Sequence, residues 1–299
     1  MKVILTGRSG FLGNIIYNNL QNQKIITLGR KNSNIIADIT KKIPQLPKCD
    51  LFIHCAGKAH FKNSSKSFEH EYQKVNVKGT QNILNSLKSN DLPEFFVFIS
   101  SVSVYGLDSG NLINENHPLL ANDPYGKSKI VAEKIVLEWC LKNKVICSIL
   151  RLPLLVGENP KGNLASLIYG IRKGYYFNIS GVKAHKSMVL ASDVAKNIIK
   201  ISAIGGTFNL TDGENIDINR FSNYIARKMF NKNILVIPLI FAKIAAKFGD
   251  VLRFNFFNSK KLKKLSSSLT FDDSLARKTF NWNPKSVLSQ NANFKNKYV

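Results

Sequence analysis

The segment that most constrains this chain is Thr6-Gly7-Arg8-Ser9-Gly10-Phe11-Leu12-Gly13. It follows a short apolar run, Lys2 to Thr6. It opens onto Phe11 to Gln23, where Leu12, Ile15, Ile16 and Leu20 fall at helical spacing. Three glycines three residues apart have separate uses. Gly7 permits a tight turn, Gly10 lets backbone N–H groups approach a diphosphate, and Gly13 lets the helix lie close to the strand. The helix start adds partial positive charge. The pattern predicts a dinucleotide seat built from Gly7, Arg8, Gly10, Phe11, Leu12 and Gly13. The next strand-like run, Lys24 to Leu28, ends in Gly29-Arg30. A site that selects NAD places Asp or Glu near there to bond the ribose 2′-hydroxyl. A cation accepts a 2′-phosphate instead, and Arg8 can assist Arg30. NADP is therefore expected over NAD, unless Arg30 is only a solvated loop residue.

Strand-like and helix-like segments go on alternating. Leu51 to Cys55, Phe95 to Ser100 and Val145 to Leu150 are apolar runs of strand length, and Tyr72 to Leu87 and Pro124 to Leu141 carry helical stripes. Fully apolar strands separated by helices imply an α/β fold, a Rossmann-type doubly wound parallel sheet covered on both faces. After Arg151 the rhythm changes. Residues 153 to 187 are rich in Gly, Pro, Asn and Tyr, Val189 to Ile201 reads as a strand end and a helix capped by Ser192 or Asp193, and the chain from about Thr211 reads mostly helical. The expected division is a dinucleotide-binding domain over 1–160 with about 188–210, and a smaller C-terminal substrate-binding lobe over 161–187 and 211–299.

Of 299 residues, 44% are hydrophobic, enough for a large core. No apolar run reaches the roughly 18 to 20 residues of a membrane span. Near the N-terminus only Val3 to Leu5 is apolar, short of the about 7 to 15 residues of a signal peptide, so a cytoplasmic protein is expected. Cys49, Cys55, Cys140 and Cys147 lack metal-ligand spacing and read as free thiols. The net charge of +24 is spread along the chain, with one dense cluster at Lys260 to Lys264. A composition rich in Lys, Asn and Ile accounts for it without nucleic acid, for which no recognition motif is present, and it also suits an anionic substrate.

In Asn122-Asp123-Pro124-Tyr125-Gly126-Lys127-Ser128-Lys129, Asp123 fits an N-cap and Pro124 the first helical position. Tyr125 and Lys129 then share a helix face. A nearby ammonium and the positive helix end would favour the phenolate, making Tyr125 a general acid/base with Lys129 as its partner. The apolar strand Phe95 to Ile99 runs into Ser100, Ser101 and Ser103. Parallel sheets place their crevice at the carboxyl ends of the strands, so one of these hydroxyls can bond a substrate oxygen beside Tyr125.

Taken in order, TGRSGFLG, HCAG, VNVKGT, FISSVSVYG, YGKSK and RLPLLVG resemble the extended short-chain dehydrogenase/reductase family, also called the NAD-dependent epimerase/dehydratase family, over about residues 1–200. The later Asp273-Ser274-Leu275-Ala276-Arg277 and Trp282-Asn283-Pro284 are similar to the nucleotide-sugar branch. The resemblance implies Ser101, Tyr125 and Lys129 as the catalytic set, with Tyr125 and Lys129 also beside the cofactor. It implies cofactor contacts from Asp38, Ile39, Cys55, Ala56, Gly57, Asn76 and Ser100. It implies substrate contacts from Ser101, Arg151, Asn163 and Lys186, the last where the family more often has Arg. The implied activity is that of an NAD(P)-dependent epimerase or reductase acting by hydride transfer at a sugar carbon, C4 of a UDP-linked amino or deoxy sugar. A dehydratase would need an acidic pair where Val102-Ser103 follow Ser101. The alternative is a catalytically silent NADP-binding sensor. A homodimer through the helices at 72–87 and 124–141 is a family-level expectation.

Other residues have two readings. His54 and His60 flank a strand end without a completing metal set, so no metal is expected. Arg172 can meet a phosphate, and Tyr175, Tyr176 and Phe177 either stack on a substrate or pack the lobe. Ile240, Phe241, Ile244, Ala245, Phe248 and Leu252 form a stripe interleaved with Lys243 and Lys247. A helix lying on a membrane surface would show this, but a stripe facing the lobe core is the ordinary expectation.

Overall fold

A computed structural model describes residues 1–59, 67–88, 91–252 and 257–289. Seven parallel strands form the central sheet, in the spatial order Gly206–Asn209, Ile146–Leu152, Phe95–Ser101, Leu51–His54, Lys2–Thr6, Lys24–Gly29 and Ile35–Ile36. The strand order reverses between Lys2–Thr6 and Leu51–His54. A crevice therefore opens beyond the carboxyl ends of these two strands, the usual ligand position in such sheets. Leu51–His54 is buried along its whole length, which explains its unbroken apolar run. One face of the sheet packs on Ile16, Val194 and Ile198, the other on Ile83, Leu84 and Val136.

Two helices differ from the sequence expectation. The helix Phe11–Asn19 ends four residues early, its last turn closed by Leu20. The segment at 72–87 is helical but broken by a π-helical turn, Gln73–Lys78, between Ser67–Tyr72 and Gly79–Lys88. Single π turns cluster at functional sites, and this one holds Asn76.

Outside the large sheet, Ile216–Asp217, His185–Lys186, Leu269–Phe271 and Gly110–Ile113 form a small mixed sheet. The region after Thr211 holds the helices Ile218–Phe230, Leu239–Val251, Ser259–Ser266 and Ser274–Phe280, with short strands between them. Leu164, Ile168, Phe221, Ile225 and Val287 make a second core there. Ala276, Phe280 and Trp282 return to the core of the large sheet, where Trp282 Nε1 donates to the Thr211 carbonyl at 2.8 Å.

Neither Ser192 nor Asp193 caps the helix Ala191–Ser202. Leu190 occupies the cap position, and the Asp193 carboxylate accepts from the Lys285 amide at 2.7 Å, tying down a distant segment instead. The stripe at 240–252 is also reversed. In the helix Leu239–Val251 only Ala242, Ala246 and Gly249 are buried, while Ile240, Phe241, Ile244 and Phe248 are exposed. The small residues form an equally periodic seam, and a Cβ at Gly249 would stand 1.9 Å from the Phe257 carbonyl oxygen, so that face alone can approach so closely.

Candidate active site

The glycine turn lies at the crevice. Gly7 has φ +78°, and a Cβ there would come within 2.7 Å of the Ala56 nitrogen. A Cβ at Gly13 would stand 2.1 Å from the Gly7 carbonyl oxygen, so helix and turn meet at backbone contact. The helix Phe11–Asn19 begins at Gly10 with no side-chain cap and no acidic residue in its first turn. Its opening N–H groups, those of Phe11 and Leu12 included, thus face an anion position that no carboxylate of the helix contests. Arg8 stacks its guanidinium 3.8 Å over the Tyr17 ring and reaches the Asn32 carbonyl at 3.5 Å. Arg30 is exposed on the same loop, so two cations stand at the end of the second strand. Asp38 accepts from the Thr40 amide and hydroxyl at 3.0 and 2.7 Å, and the hydroxyl bond is the main reason its carboxyl lies below the usual range. Ile39 packs against Gly79, and its carbonyl accepts from Asn82 at 2.6 Å.

Tyr125 opens the helix Pro124–Asn143. Asp123 caps it, accepting from the amides of Tyr125 and Gly126 at 3.1 and 3.0 Å, and Pro124 takes the first position, both as the sequence predicts. The Ser101 side chain stands beside the Tyr125 phenol and acts to lower its pKa. Ser101 Oγ also caps a 3-10 turn, accepting from the Ser103 amide at 3.2 Å. Lys129 is buried one helical turn on, its ammonium donating to the Ile99 carbonyl at 2.6 Å and lying 4.4 Å over the Phe98 ring. The expected phenolate is not what this environment favours. Burial pushes Tyr125 up to about 12, against the opposing effect of Ser101, with Tyr72, Asp123 and Cys55 adding to the rise. Burial likewise pushes Lys129 down to about 8. Desolvation is the largest of the influences on the phenol.

Asn76 joins this pair to the strand end. Its Oδ1 accepts from the Lys58 amide at 2.8 Å, and its Nδ2 donates to the Lys58 carbonyl and to Ser128 Oγ at 3.1 and 2.9 Å. Ser128 Oγ in turn donates to the Tyr125 carbonyl at 2.7 Å. Both amide hydrogens of Asn76 are thus engaged within the protein, and Asn76 acts as a positioning residue. A Cβ on Gly57 would meet Asn76 Oδ1 at 3.3 Å and Lys129 Nζ at 3.7 Å, so Cys55-Ala56-Gly57 passes directly over the ammonium.

Two expected site residues meet at Glu133. Ser100 Oγ donates to Glu133 Oε1, because side chains alternate along the strand and only Ser101 faces the phenol. Arg151, 6% exposed, gives Nη2 to Glu133 Oε2 at 2.8 Å, with Nε shared across the same carboxylate. Its Nη1 donates to the Tyr105 phenol and the Glu115 carbonyl at 3.1 and 3.2 Å. Tyr105 donates onward to Asn209 at 2.8 Å. Arg151 is therefore held in a buried network with Glu133, Tyr105 and Glu115. Glu133 was missed by sequence reading, although it lies one turn beyond Lys129, and the strand register that pairs Ser100 with Arg151 explains why all three meet.

His54 is 1% exposed and bonds Thr6 Oγ1 at 2.8 Å and Thr80 Oγ1 at 3.0 Å. Thr80 donates to the Asn76 carbonyl at 2.6 Å, which assigns the ring proton to Nε2. Burial, helped by the Lys129 charge, pushes the imidazole down to about 3, so it is a neutral pin between strand ends. His60 lies outside the described residues. No group of three metal-ligating side chains occurs among the described residues. In the lobe, Tyr176 joins the second core and Phe177 packs on Phe257 with ring centroids 5.4 Å apart, whereas Tyr175 is exposed. Asn163 and Arg172 are exposed on the helix Gly162–Lys173, and Lys186 donates to the Lys264 carbonyl at 3.0 Å.

The arrangement brings together an anion-binding turn, a paired hydroxyl and phenol, and a buried ammonium at one strand-end crevice. Such a set can hold a dinucleotide and exchange a proton with an oxygen on the neighbouring carbon. Comparison with known proteins agrees. The model of the NAD dependent epimerase/dehydratase family matches residues 3–209. The chain is 28% identical to N-acetyl-alpha-D-glucosaminyl-diphospho-ditrans,octacis-undecaprenol 4-epimerase of Escherichia coli O157:H7, over 90% of this chain and 87% of that protein. The structure of UDP-N-acetylglucosamine 4-epimerase from Bacillus cereus superposes with a TM-score of 0.71 at 23% identity, covering 96% of this chain and 94% of that one. That of RMD from Pseudomonas aeruginosa complexed with NADPH gives 0.69 at 18% identity, covering 97% and 96%.

Proposed function

Because the chain belongs to the NAD dependent epimerase/dehydratase family, a family of enzymes, we propose that it interconverts configurations or oxidation states at C4 of a sugar carried on a diphosphate. The observation that carries this reading is the buried Lys129 one helical turn behind Tyr125, with the Ser101 side chain beside the phenol, at the strand-end crevice onto which the glycine turn opens. A nucleotide sugar is the first choice of substrate. A sugar on polyprenyl diphosphate is a second, favoured by the Escherichia coli relative, which is named for such a substrate.

The glycine turn with its uncapped helix start fits the diphosphate of a nicotinamide dinucleotide. Arg8 and Arg30 favour NADP, since the second strand ends in Gly29-Arg30 where an NAD site places an acidic residue to accept from the ribose 2′-hydroxyl. When bound, the nicotinamide supplies and takes back the hydride. The protein's own part is to move a proton and hold an oxygen. With its pKa pushed up to about 12, Tyr125 is protonated at neutral pH, the form that donates to a ketone oxygen at C4. Ser101, beside the phenol, steadies that oxygen. In the reverse direction the phenolate left by the donated proton takes the hydroxyl proton back, and the Lys129 charge is the nearby group able to stabilise that phenolate. Asn76 and Gly57 keep Lys129 in place. Asn163, Arg172 and Lys186 stand as substrate contacts from the lobe. The domain assignment, residues 1–160 with about 188–210 for the dinucleotide and the rest for the sugar, belongs to the same proposal.

The deciding experiment incubates the protein with UDP-N-acetylglucosamine and with a UDP-4-keto-6-deoxy sugar, each with and without NADPH. Isomerised product without net cofactor use marks an epimerase, and NADPH consumption marks a reductase. Turnover of neither, despite dinucleotide binding, would count against this substrate class.

A further inference from the structure

We propose that the outer face of the helix Leu239–Val251 is a docking surface for an anionic lipid bilayer. Large apolar side chains on the surface of a lobe are ordinary when scattered, but here they are gathered. Phe241 is 61% exposed, Phe248 64% and Val251 79%, and Ile240, Ile244 and Leu252 accompany them. At 100° per residue these six fall within one arc of roughly 120°. The opposite seam of Ala242, Ala246 and Gly249 lets the helix lie flat against the lobe. The strand that leads into it, Leu235–Pro238, leaves Leu235 and Val236 exposed as well.

The charge around this face identifies the occupant. Lys243 and Lys247 lie side by side along one edge of the apolar arc, and both are exposed. The helix Ser259–Ser266, whose Leu262 packs on Ala242 and Ala246, exposes Lys260, Lys261 and Lys263, while Lys264 pairs with Asp108 at 2.9 Å. Between residues 218 and 271 the sequence holds eleven Lys or Arg and a single acidic residue, Asp250. An apolar arc edged by cations suits a helix lying in the plane of a bilayer, its apolar side chains among the acyl chains and its lysines at anionic headgroups. A second copy of the same face would bring like charges together. No helix among the described residues is long and apolar enough to cross a membrane, so the contact is peripheral. This inference stands on the patch and its charge and is independent of the catalytic reading.

The test is co-sedimentation of the full chain with vesicles of phosphatidylcholine alone or mixed equally with phosphatidylglycerol. Binding to the anionic vesicles is expected to exceed that to neutral ones about tenfold and to weaken as salt rises. The double variant Phe241→Ser/Phe248→Ser should lower it about tenfold with an unchanged thermal midpoint, since both rings are already exposed. Ile240→Ser/Ile244→Ser is the independent second pair and should do the same. Absence of binding to anionic vesicles would overturn the proposal, as would undiminished binding by both double variants. A lipid-free dimer that either double variant dissociates would assign the face to a second copy instead.

Discussion

The helix Pro124–Asn143 buries Ser128, Lys129 and Glu133, whereas the helix Leu239–Val251 leaves Ile240, Phe241, Ile244 and Phe248 in solvent. Both invert the ordinary amphipathic arrangement, but in opposite senses. Burying a polar group is costly unless it is hydrogen-bonded, and each of the three is: Ser128 with Asn76, Lys129 with Ile99, Glu133 with Ser100 and Arg151. The outer helix has no such internal compensation among the described residues. An exposed apolar face of this kind is what a docking partner covers. The first inversion is thus a finished interior, and the second is the surface proposed above to meet a bilayer.

The comparison can be broken most sharply at Glu133. Glu133→Ala leaves the Arg151 guanidinium buried without its carboxylate and should lower unfolding stability by about 3–5 kcal/mol, read from urea denaturation. Tyr125→Phe should next reduce kcat by about 10² or more, with an unchanged denaturation midpoint. Near-normal turnover would remove Tyr125 from the mechanism. The buried His54 gives a pH signature. The folded protein takes up its proton only near pH 3, the unfolded chain near 6.5, so between these values the unfolded state binds more protons and stability falls as pH is lowered. The loss between pH 7 and pH 5 should be on the order of 2 kcal/mol, and His54→Asn should flatten that slope. NADP should bind about tenfold more tightly than NAD, and Arg8→Ala/Arg30→Ala should erase the difference, as titration of both cofactors would show. On the outer helix, Phe248→Ser should alter stability by no more than about 0.5 kcal/mol, because the ring has little contact to lose.

Much of the catalytic side was legible in the sequence because local rules govern it. Gly7, Gly10 and Gly13 report backbone approach, and Asp123-Pro124 reports a helix start, whatever the rest of the chain does. The bonds of Ser100 and Arg151 to Glu133 could not be read from the sequence because they depend on strand register: Ser100 lies opposite Arg151 in the paired strands, and both meet that carboxylate there. The pKa of Tyr125 was misjudged because spacing reveals a neighbouring charge but not the depth of burial. At 240–252 periodicity showed that one face was apolar. It could not show that the narrow Ala-Gly seam, rather than the wide stripe, would be the inward one.

The tuck of Phe280 and Trp282 beneath the large sheet bears on how the molecule is made. Phe280 meets Phe208 edge to face with ring centroids 5.1 Å apart, yet the two are separated by most of the lobe in sequence. A nascent chain that has already laid down all seven strands still lacks this plug. Ribosomal emergence of the segment around Trp282 is therefore the event that completes the core beneath the large sheet, and until then that apolar surface lacks its cover.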